Sequence, residues 1–138
     1  MDAIYTAVAT ANGREGRAVS SDGHVDLPLA HPKALGGNGQ GTNPEQLFAA
    51  GYAACFASAM GAIGRMEKID VKDVSVTAEV SIGKDAADGG FALSVVMRVE
   101  LPDHLQGEAG RDLLEKTHAF CPYSKATRGN LPVELVIE

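Results

Sequence analysis

The chain has 138 residues, 45% of them apolar and 22% charged, a composition of globular rather than disordered proteins. That length accommodates one ordinary domain, 1–138, with no room for a second core. A formal net charge of −6 argues against nucleic acid or an anionic membrane surface as the main partner.

Residues 1–5 do not open a basic, then apolar, leader, so the sequence reads as cytoplasmic. Residues 4–10 read as a strand, closed by Asn12-Gly13, a hairpin-turn dipeptide. A return strand over 17–20 and a second turn at Asp22-Gly23 lead into a third strand over 24–29. Arg14 is thereby displayed at or beside a hairpin tip. Residues 35–42, rich in Gly, Asn and Gln, read as an exposed loop.

A helix start follows. Asn43 can cap with Pro44 in the first helical position, or Thr42 can form a capping box with Glu45. The helix then extends over 44–65. Ala and Gly line every side of it, so neighbours can approach closely, which predicts a buried, central helix. Residues 47–63 carry no charge, but the run falls short of the roughly 20 apolar residues that span a bilayer, so no membrane partner is expected.

Residues 71–82 and 91–101 alternate in polarity around Asp88-Gly89-Gly90, which predicts an antiparallel hairpin with one solvated face. A second helix is expected over 106–119, a loop over 122–130 and a last strand over 133–137. The economical fold class is α+β, antiparallel sheet with buried helices.

Two cysteines, Cys55 and Cys121, dominate the candidate chemistry. In a reducing compartment such a pair is incidental, metal-bound or redox-active. Cys55, midway along an apolar helix, reads alone as a small core residue. Cys121 ends the second helix before Pro122, where a thiol is expected on a mobile turn. The four histidines form no pair at helical spacing and there is no Cys-x-x-Cys, so no metal is expected. Ser58 and Ser124 lack a Gly-x-Ser-x-Gly elbow, which makes serine hydrolysis a weak reading. Arg14 alone is an ordinary turn residue, and Glu45 an ordinary first-turn carboxylate.

Taken together, three segments carry a resemblance. Thr42-Asn43-Pro44-Glu45-Gln46-Leu47-Phe48-Ala49-Ala50-Gly51-Tyr52-Ala53-Ala54-Cys55-Phe56 resembles the first signature of the osmotically inducible/organic hydroperoxide resistance superfamily. Cys121-Pro122-Tyr123-Ser124-Lys125-Ala126-Thr127-Arg128-Gly129-Asn130 resembles the second. Its Cys-Pro-Tyr-Ser opening and Ala-Thr-Arg-Gly-Asn ending are similar to the organic hydroperoxide resistance branch, as is the hairpin from Gly13 to Gly23. The resemblance implies an intertwined homodimer that reduces alkyl and lipid hydroperoxides without a cofactor. It implies a peroxidatic Cys55, a resolving Cys121, Arg14 and Glu45 supporting the thiolate, and a dithiol reductant on a lipoyl-bearing protein.

Elementary chemistry agrees with those roles. A thiol is mostly protonated at neutral pH, and a nearby guanidinium both lowers its pKa and stabilises a departing alkoxide. Glu45 alone would repel a thiolate, so its sensible role is to fix Arg14 through a bidentate pair. Phe48, Tyr52, Phe56 and Phe91 are candidates for an apolar wall near Cys55, or else for plain core. Ten helical residues separate Glu45 from Cys55, roughly 15 Å along the axis and about 80° in azimuth. If Glu45 serves a thiolate, the partner subunit must supply it, so the active sites are expected to be shared across a two-fold axis. The rivals are a sister-branch peroxidase with broader range, a non-catalytic redox sensor and a small-molecule-binding domain with incidental cysteines.

Overall fold

In the computed structural model, which describes residues 1–138, the chain forms two units, Met1–Leu47 and Phe48–Glu138. Turns organise the first. Gly13 and Gly23 lie at φ of 88° and 77°, a region that residues with a Cβ rarely enter. They connect β1 (Ala9–Ala11), β2 (Arg17–Ser20) and β3 (Asp26–Pro28) into an antiparallel sheet with β2 in the middle. The first strand is shorter than expected, since Ala9 pairs with Ser20 and β2 then turns away. Residues 4–7 therefore have no ladder partner, and Ile4, Tyr5 and Val8 stand exposed.

Helix α1 (Pro44–Glu67) begins at a reciprocal capping box. Asn43 Oδ1 accepts from Gln46 N at 2.8 Å, and Asn43 N donates to Gln46 Oε1 at 3.1 Å. Asn43 is thus the cap rather than Thr42, and Glu45 is left free of capping duty. Within the second unit, α1 buries Tyr52, Phe56, Ala59, Met60 and Ile63 on one face, the 3.6-residue spacing of an amphipathic helix. Ala50, Ala54 and Ala57 on the other side are exposed, so within this chain the helix is buried on one face rather than all round. Its length and composition would also allow a membrane span, although the Tyr52–Phe56–Met60 face belongs to the protein core.

The core's other wall is a sheet. β4 (Ser75–Lys84) and β5 (Phe91–Glu100) pair antiparallel from Ser75↔Glu100 to Lys84↔Phe91. Alternation buries Val95, Met97 and Val99 on one face of β5. β6 (Val133–Ile137) joins β5 in parallel, Val95 facing Val133 and Val99 facing Ile137. This sheet is mixed, where a purely antiparallel one was expected. A parallel neighbour needs a long crossover, and here α2 (Glu108–Phe120) and α3 (Pro122–Thr127) supply it. The expected loop over 122–130 in fact opens with α3, because Pro122 is pre-set for a first helical position. Leu113, Leu114, Thr117 and Cys121 complete the buried interior.

Candidate active site

Cys55 projects from α1, half-buried, between Ala54 and the fully buried Phe56. Cys121 is not on an exposed turn. It is fully buried at the single residue that both closes α2 and opens α3. Its N–H donates to Thr117 O at 2.8 Å and its carbonyl accepts from Lys125 N at 3.0 Å, so each helix claims one side of its backbone. The two sulfurs are 3.4 Å apart, both as free thiols.

A cleft of about 260 Å³ opens onto Cys55. Ser58, Ala59, Ala62 and Arg65 line it along one face of α1, with Phe120 and Pro122 opposite. Burial pushes the Cys55 thiol up; the Tyr123 backbone N–H opposes that rise and the Cys121 side chain adds to it. Burial therefore favours the protonated Cys55 thiol, and a cation brought near it would favour the thiolate.

The first unit holds a guanidinium in fixed orientation. Arg14 Nη2 donates to Glu45 Oε1 at 2.7 Å and Nη1 to Glu45 Oε2 at 3.3 Å, a bidentate fork between the hairpin tip and the first turn of α1. The guanidinium's hydrogen bond holds the Glu45 carboxyl below its usual range against opposing burial, and raises Arg14 in turn. The fork occupies two of five guanidinium N–H groups, which leaves others for an anion.

The four candidate aromatics separate. Phe48 and Tyr52 meet edge-on at 6.0 Å, and Tyr123 packs on both at 6.5 and 5.7 Å. Gly51 admits the Tyr123 ring: a Cβ there would sit 3.1 Å from its hydroxyl oxygen. Phe56 is core. Phe91, at the last rung of the β4–β5 ladder, is 66% exposed under Lys84 Nζ. None of the four lines the cleft at Cys55, whereas Phe120 does. Sequence reasoning missed Phe120 and Tyr123; their position on either side of Cys121-Pro122 was the available signal.

Polar groups tie the same region together. Tyr52 Oη lies 2.8 Å from Ser124 Oγ and 3.3 Å from Thr127 Oγ1, and Ser124 Oγ lies 2.8 Å from His118 Nδ1. This does pair a serine with a histidine. Yet Ser124 is fully buried, and the charged neighbour of His118 is Arg128, a cation where a hydrolase needs a carboxylate. No three His, Cys, Asp or Glu side chains gather as a metal-binding group.

The OsmC-like protein family matches residues 37–136. An organic hydroperoxide resistance protein of Xanthomonas axonopodis pv. citri (strain 306) is 50% identical over 137 residues, 97% of this chain and 94% of that protein. Organic hydroperoxide resistance protein OhrB of Bacillus subtilis (strain 168) is 44% identical over 137 residues, 99% of each. The crystal structure of an organic hydroperoxide resistance protein from Legionella pneumophila superposes with a TM-score of 0.92 at 45% identity, covering 99% of both chains. That of Bacillus subtilis OhrB gives 0.89 at 44% identity, covering 99% of this chain and 100% of the other. The α+β architecture and the family expected from the three segments are both established by these matches, and the chain belongs to the OsmC-like family, in its organic hydroperoxide resistance branch.

Proposed function

We propose that this protein is a cysteine-based peroxidase that reduces organic hydroperoxides to alcohols. The observation that carries the reading is the pair of free thiols 3.4 Å apart, one of them opening onto a cleft. The Cys55 thiolate attacks the outer oxygen of the hydroperoxide. The O–O bond breaks, the alkoxide takes a proton and leaves as alcohol, and Cys55 becomes a sulfenic acid. Cys121 then forms a disulfide with it, releasing water. An external dithiol reduces that disulfide by exchange and is itself oxidised to a disulfide. A lipoyl-bearing protein in the cytoplasm suits this last step, because a dithiol closes its own ring on leaving.

Arg14, held by Glu45, supplies the positive charge in this scheme. Ten residues along α1 separate Glu45 from Cys55, roughly 15 Å of helix rise, beyond any direct contact. We therefore assign Arg14 and Glu45 to the Cys55 site of a second copy, in a homodimer with two shared centres. The exposed Ala50, Ala54 and Ala57 face of α1 and the exposed Ile4 and Tyr5 support an interface between copies.

A steady-state assay tests the reading, with an alkyl hydroperoxide against hydrogen peroxide as substrates and dihydrolipoamide against glutathione as reductants. Apolar lining at the cleft favours the alkyl substrate, since each buried methylene contributes about 0.8 kcal/mol. Expected is sustained turnover with dihydrolipoamide and a kcat/KM tens of fold higher for the alkyl hydroperoxide. A single turnover that then stops would instead mark a redox sensor. Inertness toward both peroxides would mark a binding domain.

A further inference from the structure

The second cysteine sits on a hinge. Cys121, at φ −63° and ψ 125°, is the only residue between α2 and α3, so the angle between those helices is set at the residue that must meet Cys55. Two backbone dihedrals cannot by themselves hold a sulfur against a target on another helix. Something must fix α3.

The side chains that do so are spaced regularly about the two sulfurs. Ser124, three residues after Cys121, reaches His118, three residues before it: Oγ and Nδ1 are 2.8 Å apart across the hinge. Tyr52, three residues before Cys55, closes the figure from α1 at 2.8 Å from the same Ser124 Oγ. Arg128, just beyond α3, donates from Nη2 to His118 O at 3.0 Å and braces the same turn of α2. Ser124 and Tyr52 are fully buried, and a buried hydroxyl that loses its partner is costly, so the arrangement resists change. Burial and Arg128 lower the His118 pKa, and the His118 ring, the Ser124 hydroxyl and the Tyr52 hydroxyl form one continuous hydrogen-bonded chain.

We propose that Ser124 and His118 are positioning residues for the resolving step, locking α3 to α2 so that Cys121 Sγ is held at Cys55. The inference rests on the peroxidase reading and concerns only its second half. There the Cys121 sulfur displaces hydroxide from the Cys55 sulfenic acid; the S–O bond breaks, the S–S bond forms, and the Cys121 proton leaves with the hydroxide as water. Attack requires the two sulfurs in contact and aligned, so loss of the lock slows this step and leaves the first untouched.

The test is rapid mixing of the reduced full-length protein with tert-butyl hydroperoxide, followed by dimedone trapping and mass spectrometry of Cys55. Wild type, His118→Leu, His118→Asn and Ser124→Ala are compared. Expected for His118→Leu and Ser124→Ala is peroxide consumption at the wild-type rate, disulfide formation slowed about tenfold and a matching rise in trapped sulfenic acid. His118→Asn, which restores a hydrogen-bonding atom at the δ position without the ring, should recover most of the resolving rate. Wild-type disulfide formation in both His118→Leu and Ser124→Ala would overturn the proposal. So would equal impairment in His118→Asn and His118→Leu, or an equal slowing of both chemical steps. Wild type that consumes no hydroperoxide at all would instead sink the peroxidase reading itself.

Discussion

Cys121 Sγ lies 3.4 Å from Cys55 Sγ although 66 residues separate them in the chain. One sulfur is half-exposed at a cleft and the other fully buried beneath it. That asymmetry supports the order of events in the proposed cycle, in which the thiol a substrate can reach attacks first and the hidden one resolves.

Cys121→Ser should therefore spare the first step and abolish the second. One equivalent of alkyl hydroperoxide should be consumed, and a dimedone-type probe should label Cys55. Excess peroxide should carry the same residue on to sulfinic acid, because nothing within the chain rescues it. Mass spectrometry of tryptic peptides reads all three. A variant that consumes no peroxide would mean that the two roles are reversed.

The Arg14–Glu45 pair makes two pH predictions. Cys55 is pushed up by burial within its own unit, and in the proposed shared site the Arg14 guanidinium of the second copy offsets that rise. The pH midpoint of Cys55 alkylation by iodoacetamide should then rise by about one unit or more in Arg14→Ala; an unchanged midpoint would remove Arg14 from the site. Stability follows the carboxyl. Glu45 is held below its usual value of 4.5 by Arg14, so the pair's contribution is fully present above that value and disappears as pH falls through the depressed one. The gap in urea midpoint between wild type and Arg14→Ala should be open near pH 7 and narrow as the pH is taken down through the depressed Glu45 titration. A gap that widens in acid has the wrong sign for this pairing.

Shared centres can be tested by mixing two inactive chains. Co-expressed Cys55→Ser and Arg14→Ala/Glu45→Ala chains, purified as the heterodimer, retain one complete set of residues only if each site draws on both copies. About half of wild-type activity is then expected from two-fold symmetry. A correctly assembled heterodimer without activity would place Arg14 and Cys55 in service of the same chain's site, or of none.

Much of this architecture could be read from the chain because it rests on local rules. Asn12-Gly13 and Asp22-Gly23 demand positive φ, and the structure turns at both. Alternation through Val76, Ala78 and Val80 fixed a half-buried strand. Alternation does not encode the direction of a neighbour, so the parallel pairing of β6 on β5 could not be read. Nor could α3, whose six residues are too few for any periodicity. The same gap hid the burial of Cys121, which depends on α3 existing.

The site divides similarly. Arg14 and Glu45 are ordinary surface residues by type, and only the motifs around them singled them out; their fork at 2.7 Å is a tertiary fact. Helical spacing put Phe48 and Tyr52 forward as walls near Cys55; their rings meet edge-on, and neither lines the cleft. That spacing said nothing of what faces them, and so passed over Tyr123 and Phe120. Phe91 shares the alternation of Leu93 and Val95 but occupies the open end of the ladder, where that face has run out of core.

The most direct test of the account is the state of both thiols after one equivalent of alkyl hydroperoxide. Reduced wild-type protein, exposed to one equivalent and digested without reductant, should yield a single linked peptide joining Cys55 to Cys121. Dihydrolipoamide should return both thiols, and Cys55→Ser should leave the hydroperoxide unconsumed. Free thiols in the treated wild type, or hydroperoxide consumed by Cys55→Ser at the wild-type rate, would contradict the central claim.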